Sequence, residues 1–121
     1  MQMIITAYTT YYTQLKRGEM KERQIGIGHI TAVARQRLQA LGVDPACVLV
    51  DHAAGHWGVV SGSIVEYNRD TRGYGGYIGA HDLGAGEFVI VVTAVTVDAR
   101  QRRTYVYLST EETPDITGKG I

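Results

Sequence analysis

The densest group of chemically capable side chains in this sequence is Asp51-His52 and His56-Trp57, separated by Ala53-Ala54-Gly55. His52 and His56 are four residues apart, so on a helix they would share a face and could hold Zn²⁺. Such a site would still need a third ligand, for which Asp51 and His81 are the candidates. No Glu follows His52, so the helical metalloprotease pattern is absent. Gly55 between the two histidines argues against an unbroken helix. If the chain is an enzyme, His52, Asp51 and His56 are its acid–base or metal residues, with hydrolysis as the reaction class. The plainer account is that His52 hydrogen-bonds a loop and Trp57 packs on a sheet. Cys47 lies in an apolar run and reads as buried and inert. Ser61-Gly62-Ser63 lacks the nucleophile-elbow pattern. Gly26-Ile27-Gly28 has no third glycine at the dinucleotide spacing. No cofactor is expected.

A second group is basic and aromatic. Arg100, Arg102 and Arg103 precede Tyr105 and Tyr107, and Arg35 and Arg37 stand further upstream. Arginines beside aromatics can bind nucleic acid by phosphate contact and base stacking. They also fit a charged turn followed by a ladder of cross-strand tyrosines. The chain has eight Tyr and one Phe, and Tyr is favoured where a surface is half wet. The expected binding residues are Tyr8, Tyr11, Tyr12, Trp57, Arg102, Arg103, Tyr105 and Tyr107. The strand carrying the first three is a dimer edge, a docking edge or an internal strand.

These residues need elements to position them. Met3 to Thr13 is β-branched and aromatic and predicts a first strand. Gly26 and Gly28 lead into a helix or a short strand. Ile30, Val33, Ala34, Leu38 and Leu41 make an apolar stripe at helical spacing, so a helix spans Ile30–Leu41. Gly42 would end it in a Schellman turn, with Val43 touching Leu38. Asp44-Pro45 supplies an N-cap and a first-turn proline, predicting a buried helix to Ala54-Gly55. The alternative for that run is a short buried strand. Ser63 and Glu66 match a capping box, with a helix to Arg72 and a stop at Gly73. A strand through Val59–Tyr67 competes with it. Tyr74 to Ala80 reads as a glycine-loosened strand and Asp82 to Gly86 as a turn. Glu87 to Val97 is the most apolar strand and is expected to be central. Asp98 to Gln101 is a polar turn, and Arg102 to Ser109 returns as a partner strand. The fold class is α+β: two or three short helices packed on an antiparallel sheet ending in a β-meander. Residues 1–112 form one domain and 113–121 a flexible tail.

One run of residues resembles a known family. Ala40-Leu41-Gly42-Val43-Asp44-Pro45, Leu49, His52 to Gly58, Asn68, Gly73, Ile90 to Thr93 and Thr104 to Glu112 follow its order. The pattern looks like that of small "plasmid-related" proteins carried by plasmids and integrative elements. Those proteins show a helix ending in Gly, then Pro, a His–Gly–Asp–Trp–Gly stretch, an Asn and a final acidic-ended hairpin. His56 stands here where that pattern has Asp, the last hairpin is longer, and residues before 25 have no counterpart. The resemblance implies an origin on a mobile element and no particular reaction.

Composition bounds the function. Twelve Lys and Arg balance twelve Asp and Glu, which argues against a dedicated binder of nucleic-acid backbone. Residues 1–43 carry six basic and two acidic groups (+4), and 44–121 six basic and ten acidic (−4). A polarised surface can steer a partner. One Cys excludes a disulfide scaffold, and there is neither a membrane-length apolar run nor a signal-peptide pattern, so a cytoplasmic protein is expected. The favoured reading is a non-enzymatic accessory protein of a mobile genetic element that binds a protein. An inhibitor of a restriction or CRISPR type host defence is the concrete form. Two alternatives stand beside it: a small hydrolase using Asp51, His52 and His56, and a nucleic-acid binder using Arg100–Arg103. A homodimer fits the tyrosine-rich surface.

Overall fold

The computed structural model describes residues 2–5, 25–71 and 74–111. The fold is α+β, as expected. In chain order the elements are β1 (Gln2–Ile5), β2 (Ile27–Thr31), α1 (Ala32–Ala40), α2 (Pro45–Ala53), α3 (Gly62–Asp70), β3 (Ile78–Gly84), β4 (Glu87–Thr93), a short 3-10 turn (Ala99–Gln101) and β5 (Arg103–Leu108). The strands form one sheet in the order β1-β2-β5-β4-β3. β3, β4 and β5 run up and down as a meander, but β2 joins β5 in parallel, so the sheet is mixed and not antiparallel. The path from β2 to β5 passes through the three described helices and the hairpin, which is the long crossover a parallel pair requires. β5 occupies the centre in place of β4. Its alternating pattern lets it serve two partners just as well as a continuous apolar run does.

Helix ends follow local chemistry. Thr31 caps α1, its hydroxyl accepting from the Ala34 amide at 3.1 Å. Ile30, expected in the helix, is the fully buried end of β2 instead, and Val33 and Leu41 are exposed. Ala34 and Leu38 alone anchor α1 from its own span. Gly42 (φ +75°) stops the helix in a Schellman turn: its amide donates to Gln39 O and that of Val43 to Leu38 O. Val43 then packs on the core. Asp44 caps α2 through the Ala46 amide, with Pro45 in the first turn. The same stop recurs after α2, where the Gly55 amide donates to His52 O and that of His56 to Asp51 O. The ambiguous stretch after Val59 forms a helix over Gly62–Asp70, but its cap is Ser61, not Ser63. The capping box fails because the third helical position is then Ile64. The β3–β4 hairpin turns on Ala85-Gly86 alone, both at positive φ, the type I′ geometry that suits strand twist. Asp82 to Gly84 therefore extend β3, and Tyr74 to Tyr77 precede it.

The core lies between one face of the sheet and helices α1 and α2. Ile30, Val106, Val91 and Val89 project from the strands, and Leu38, Val48, Leu49 and Ala53 from the helices. The remaining helix guards the β3 edge. Asn68, fully buried on α3, donates to Ile78 O at 2.8 Å and accepts from the Ile78 amide at 2.9 Å. Next to it, the Ala80 amide donates to Trp57 O and the Val59 amide to Ala80 O. These bonds occupy backbone groups that would otherwise template pairing with another chain. No helix among the described residues is long and apolar enough to cross a membrane. Met3–Thr13 beyond Ile5, and the tail 113–121, lie outside the described residues.

Candidate functional site

The histidine cluster anticipated at residues 51–57 is taken apart by the fold. α2 ends at Ala53, so His52 points into the core while His56 lies beyond the Gly55 stop, exposed. His56 Nδ1 stands 3.9 Å from Asp51 Oδ1 at the surface. His52 is fully buried and its Nε2 lies 3.0 Å from Thr93 Oγ1, on a strand and not a loop. Thr93 Oγ1 is 2.6 Å from Thr104 Oγ1, which donates to Ile25 O at 2.7 Å. A carbonyl can only accept, so the Thr104 proton is committed to Ile25. Thr93 must then donate to Thr104 and accept from His52, which places the His52 proton on Nε2. Tyr77 packs edge-on against the same ring, with centroids 6.2 Å apart. This chain of hydrogen bonds joins α2, β4, β5 and Ile25, two residues before β2, and it is sealed from solvent.

Near it, His81 lies on the core side of β3. Burial lowers its pKa, with Asp51 acting in the opposite sense. No three His, Cys, Asp or Glu among the described residues are placed to hold a metal ion. Cys47 is exposed, contrary to the expectation from its apolar run. α2 buries Pro45, Ala46, Val48, Leu49, His52 and Ala53, and position 47 falls on the opposite side. Its thiol pKa is pushed up by what burial it has and by the carboxylates of Asp44 and Asp51.

The basic group is dispersed as well. Arg102 is buried, donating to Thr96 O at 3.1 Å and so tying the 94–98 loop to the sheet. That is a structural position, not a surface contact. Arg37 pairs with Glu87 at 2.8 Å, Arg100 with Asp98 at 3.3 Å, and Arg35 donates to Gln39. Arg103 is exposed. Tyr105 is buried, stacked on His29 with centroids 5.2 Å apart, and Tyr107 is half-buried. Trp57 is buried beside the β3 edge. Tyr8, Tyr11 and Tyr12 lie outside the described residues.

What the sequence did not single out is the other face of the sheet. Side chains alternate along a strand, so Val89, Val91 and Thr93 face the core while Phe88, Ile90 and Val92 face away. The last three are half-buried, with no helix of the described residues packed over them. Ile78 and Ala80 on β3 and Tyr105 and Tyr107 on β5 pair with them on that side, Tyr105 buried and Tyr107 half-buried. At one end the face runs into a cleft of about 350 Å³ lined by Tyr67, Gly76, Ile78, Val92, Thr93, Ala94 and Val95. Exposed Tyr67, Tyr74, Val95 and Val97 surround that end. The signal was present in Phe88-Val89-Ile90-Val91-Val92, which is apolar at both parities. Such a run suits a strand covered on both sides. Among the described residues, helices pack on one side only.

Compared with protein-family profiles, with curated proteins and with solved structures, the chain matches none.

Proposed function

We propose that this protein works by binding another protein through the outer face of β3, β4 and β5. One observation carries the reading: β4 is apolar on both sides, fully buried on one and only half-buried on the other. A contiguous, partly exposed apolar face on a small domain marks an interaction surface more often than a fault. The cleft beside it, with tyrosines at its mouth, supplies the concavity and amphipathic rings that protein contacts use. The resemblance to plasmid-related proteins extends the proposal. On that basis the protein is an accessory factor of a mobile genetic element, directed at a restriction or CRISPR type host defence component.

The test is a pull-down from host extract with wild type and Ile90→Glu side by side. The wild type retains a partner and the variant, equally folded, does not. Equal retention by both would remove the face from the account.

A further inference from the structure

A short strap closes the β3 edge at Ala80. The Ala80 amide donates to Trp57 O at 2.9 Å and its carbonyl accepts from the Val59 amide at 2.7 Å, a parallel bridge centred on Gly58. The strap is held unevenly. Trp57 is buried, whereas Gly58 and Val59 are exposed. Lifting the 58–59 segment breaks one backbone hydrogen bond and uncovers little apolar surface, so it is a low-cost local opening. Beneath the strap lies His81. A Cβ on Gly58 would stand 2.9 Å from its Nδ1, so the glycine backbone closes over that atom. The His81 Nε2 is buried and has no hydrogen-bond partner among the described residues.

The groups around this ring are few. Gly79 and Leu83 flank it on the core side of β3, and Val89 pairs with it from β4, none of them charged. α2 presents Asp51, which is exposed, and the buried His52, whose ring lies against Gly79. His56, beyond the α2 stop, pairs with Asp51 at the surface. A neutral imidazole fits this place. An imidazolium would donate from both nitrogens inside it, and its countercharge, Asp51, is turned to solvent and shared with His56. We propose that the strap is an acid-released latch: a proton taken up by His81 lifts the 58–59 segment and frees the Ala80 carbonyl on the sheet edge. Water then reaches the ring, and the edge gains an open acceptor for a pairing strand. Burial holds the His81 pKa below its usual value, against the pull of Asp51, so the closed strap favours the neutral ring. The open strap binds the proton more tightly. Release therefore grows as pH falls below about 6.5 toward the lowered closed-state value.

Amide hydrogen exchange between about pH 7.5 and about pH 5.5 tests the latch, each rate divided by that of an unstructured peptide at the same pH. At the upper pH the Val59 amide is expected to be protected, but less than that of Val91 in β4, because it opens without the whole fold. One proton taken up changes an opening constant by at most about tenfold per pH unit, and Val59 protection is expected to fall at least about threefold across this range. The Thr96 amide, bonded to Tyr74 O in a loop without histidine, is expected to stay level. His81→Gln, which does not titrate, is expected to hold Val59 level too, and His56→Ala to respond as wild type does. Wild-type Val59 that is unprotected, that matches Val91, or that ignores pH overturns the proposal whatever the variants do. So does a response that survives in His81→Gln, or one that vanishes in His56→Ala and so assigns the sensing to the exposed ring.

Discussion

His52 shows how a residue chosen for its chemistry can serve structure. The sequence offered it as a ligand or a base, and only the end of α2 at Ala53 decides that it faces the core. Once there, a buried imidazole must be hydrogen-bonded or costly. The Thr93–Thr104–Ile25 chain meets that need and fixes the proton on Nε2. Thr93→Val keeps the shape but breaks both bonds, leaving His52 Nε2–H without its acceptor. It is expected to lower unfolding free energy by about 1–3 kcal/mol, read from urea unfolding. No change would mean that the chain does not form. The pairing of His52 with Thr93 was out of reach beforehand, because it joins residues 41 positions apart. Cys47 and Arg102 were misplaced for the opposite reason. Hydropathy gives residue type, whereas burial depends on which side of the element a residue occupies.

Elements were easier to read where one residue governs the backbone. Gly42, Asp44 and Pro45 act through their neighbours alone, so the end of α1 and the start of α2 were legible. The α3 cap was misplaced by two residues because Ser61 and Ser63 offer the same hydroxyl, and their side chains lie only 3.0 Å apart. Gly58 was read only as part of the family-like stretch, yet the edge contact depends on it. With φ at +72°, a Cβ there would lie 2.2 Å from Ala80 O and 2.9 Å from His81 Nδ1. Gly58→Ala must therefore push the 57–59 segment off β3. The expected loss is about 2 kcal/mol or more, by the overpacking and strain routes. Gly62→Ala is the matched control: its Cβ would meet nothing, and it begins α3. A gain of a few tenths to about 1 kcal/mol is expected there. Equal effects at the two sites would contradict the edge geometry.

At the scale of the whole molecule, the fold class was readable from the sum of local signals. The parallel joining of β2 to β5 was not, because no local pattern encodes which strand lies beside which. Two histidines give the molecule a pH signature. Burial lowers the pKa of His29, helped by Arg103, and that of His81 against the pull of Asp51. In the unfolded chain both titrate near about 6.5. Between the lowered folded values and that figure the unfolded state binds more protons. Stability therefore falls as pH drops through this window, and above about 6.5 these residues contribute no pH dependence. Urea midpoints at pH 7.5 and 5.5 should differ in that sense, and His29→Phe should shrink the difference. The central claim is that the outer sheet face awaits another molecule, and adjacent residues of β4 test it directly. Ile90 and Val91 project to opposite sides of the same strand. Glutamate is placed at each in turn, and unfolding is measured in dilute solution together with association. Ile90→Glu, at a half-buried position, is expected to cost far less stability than Val91→Glu and to lose association. Val91→Glu is expected to destroy the fold. The account is contradicted if Ile90→Glu unfolds as Val91→Glu does, or if it associates as well as wild type.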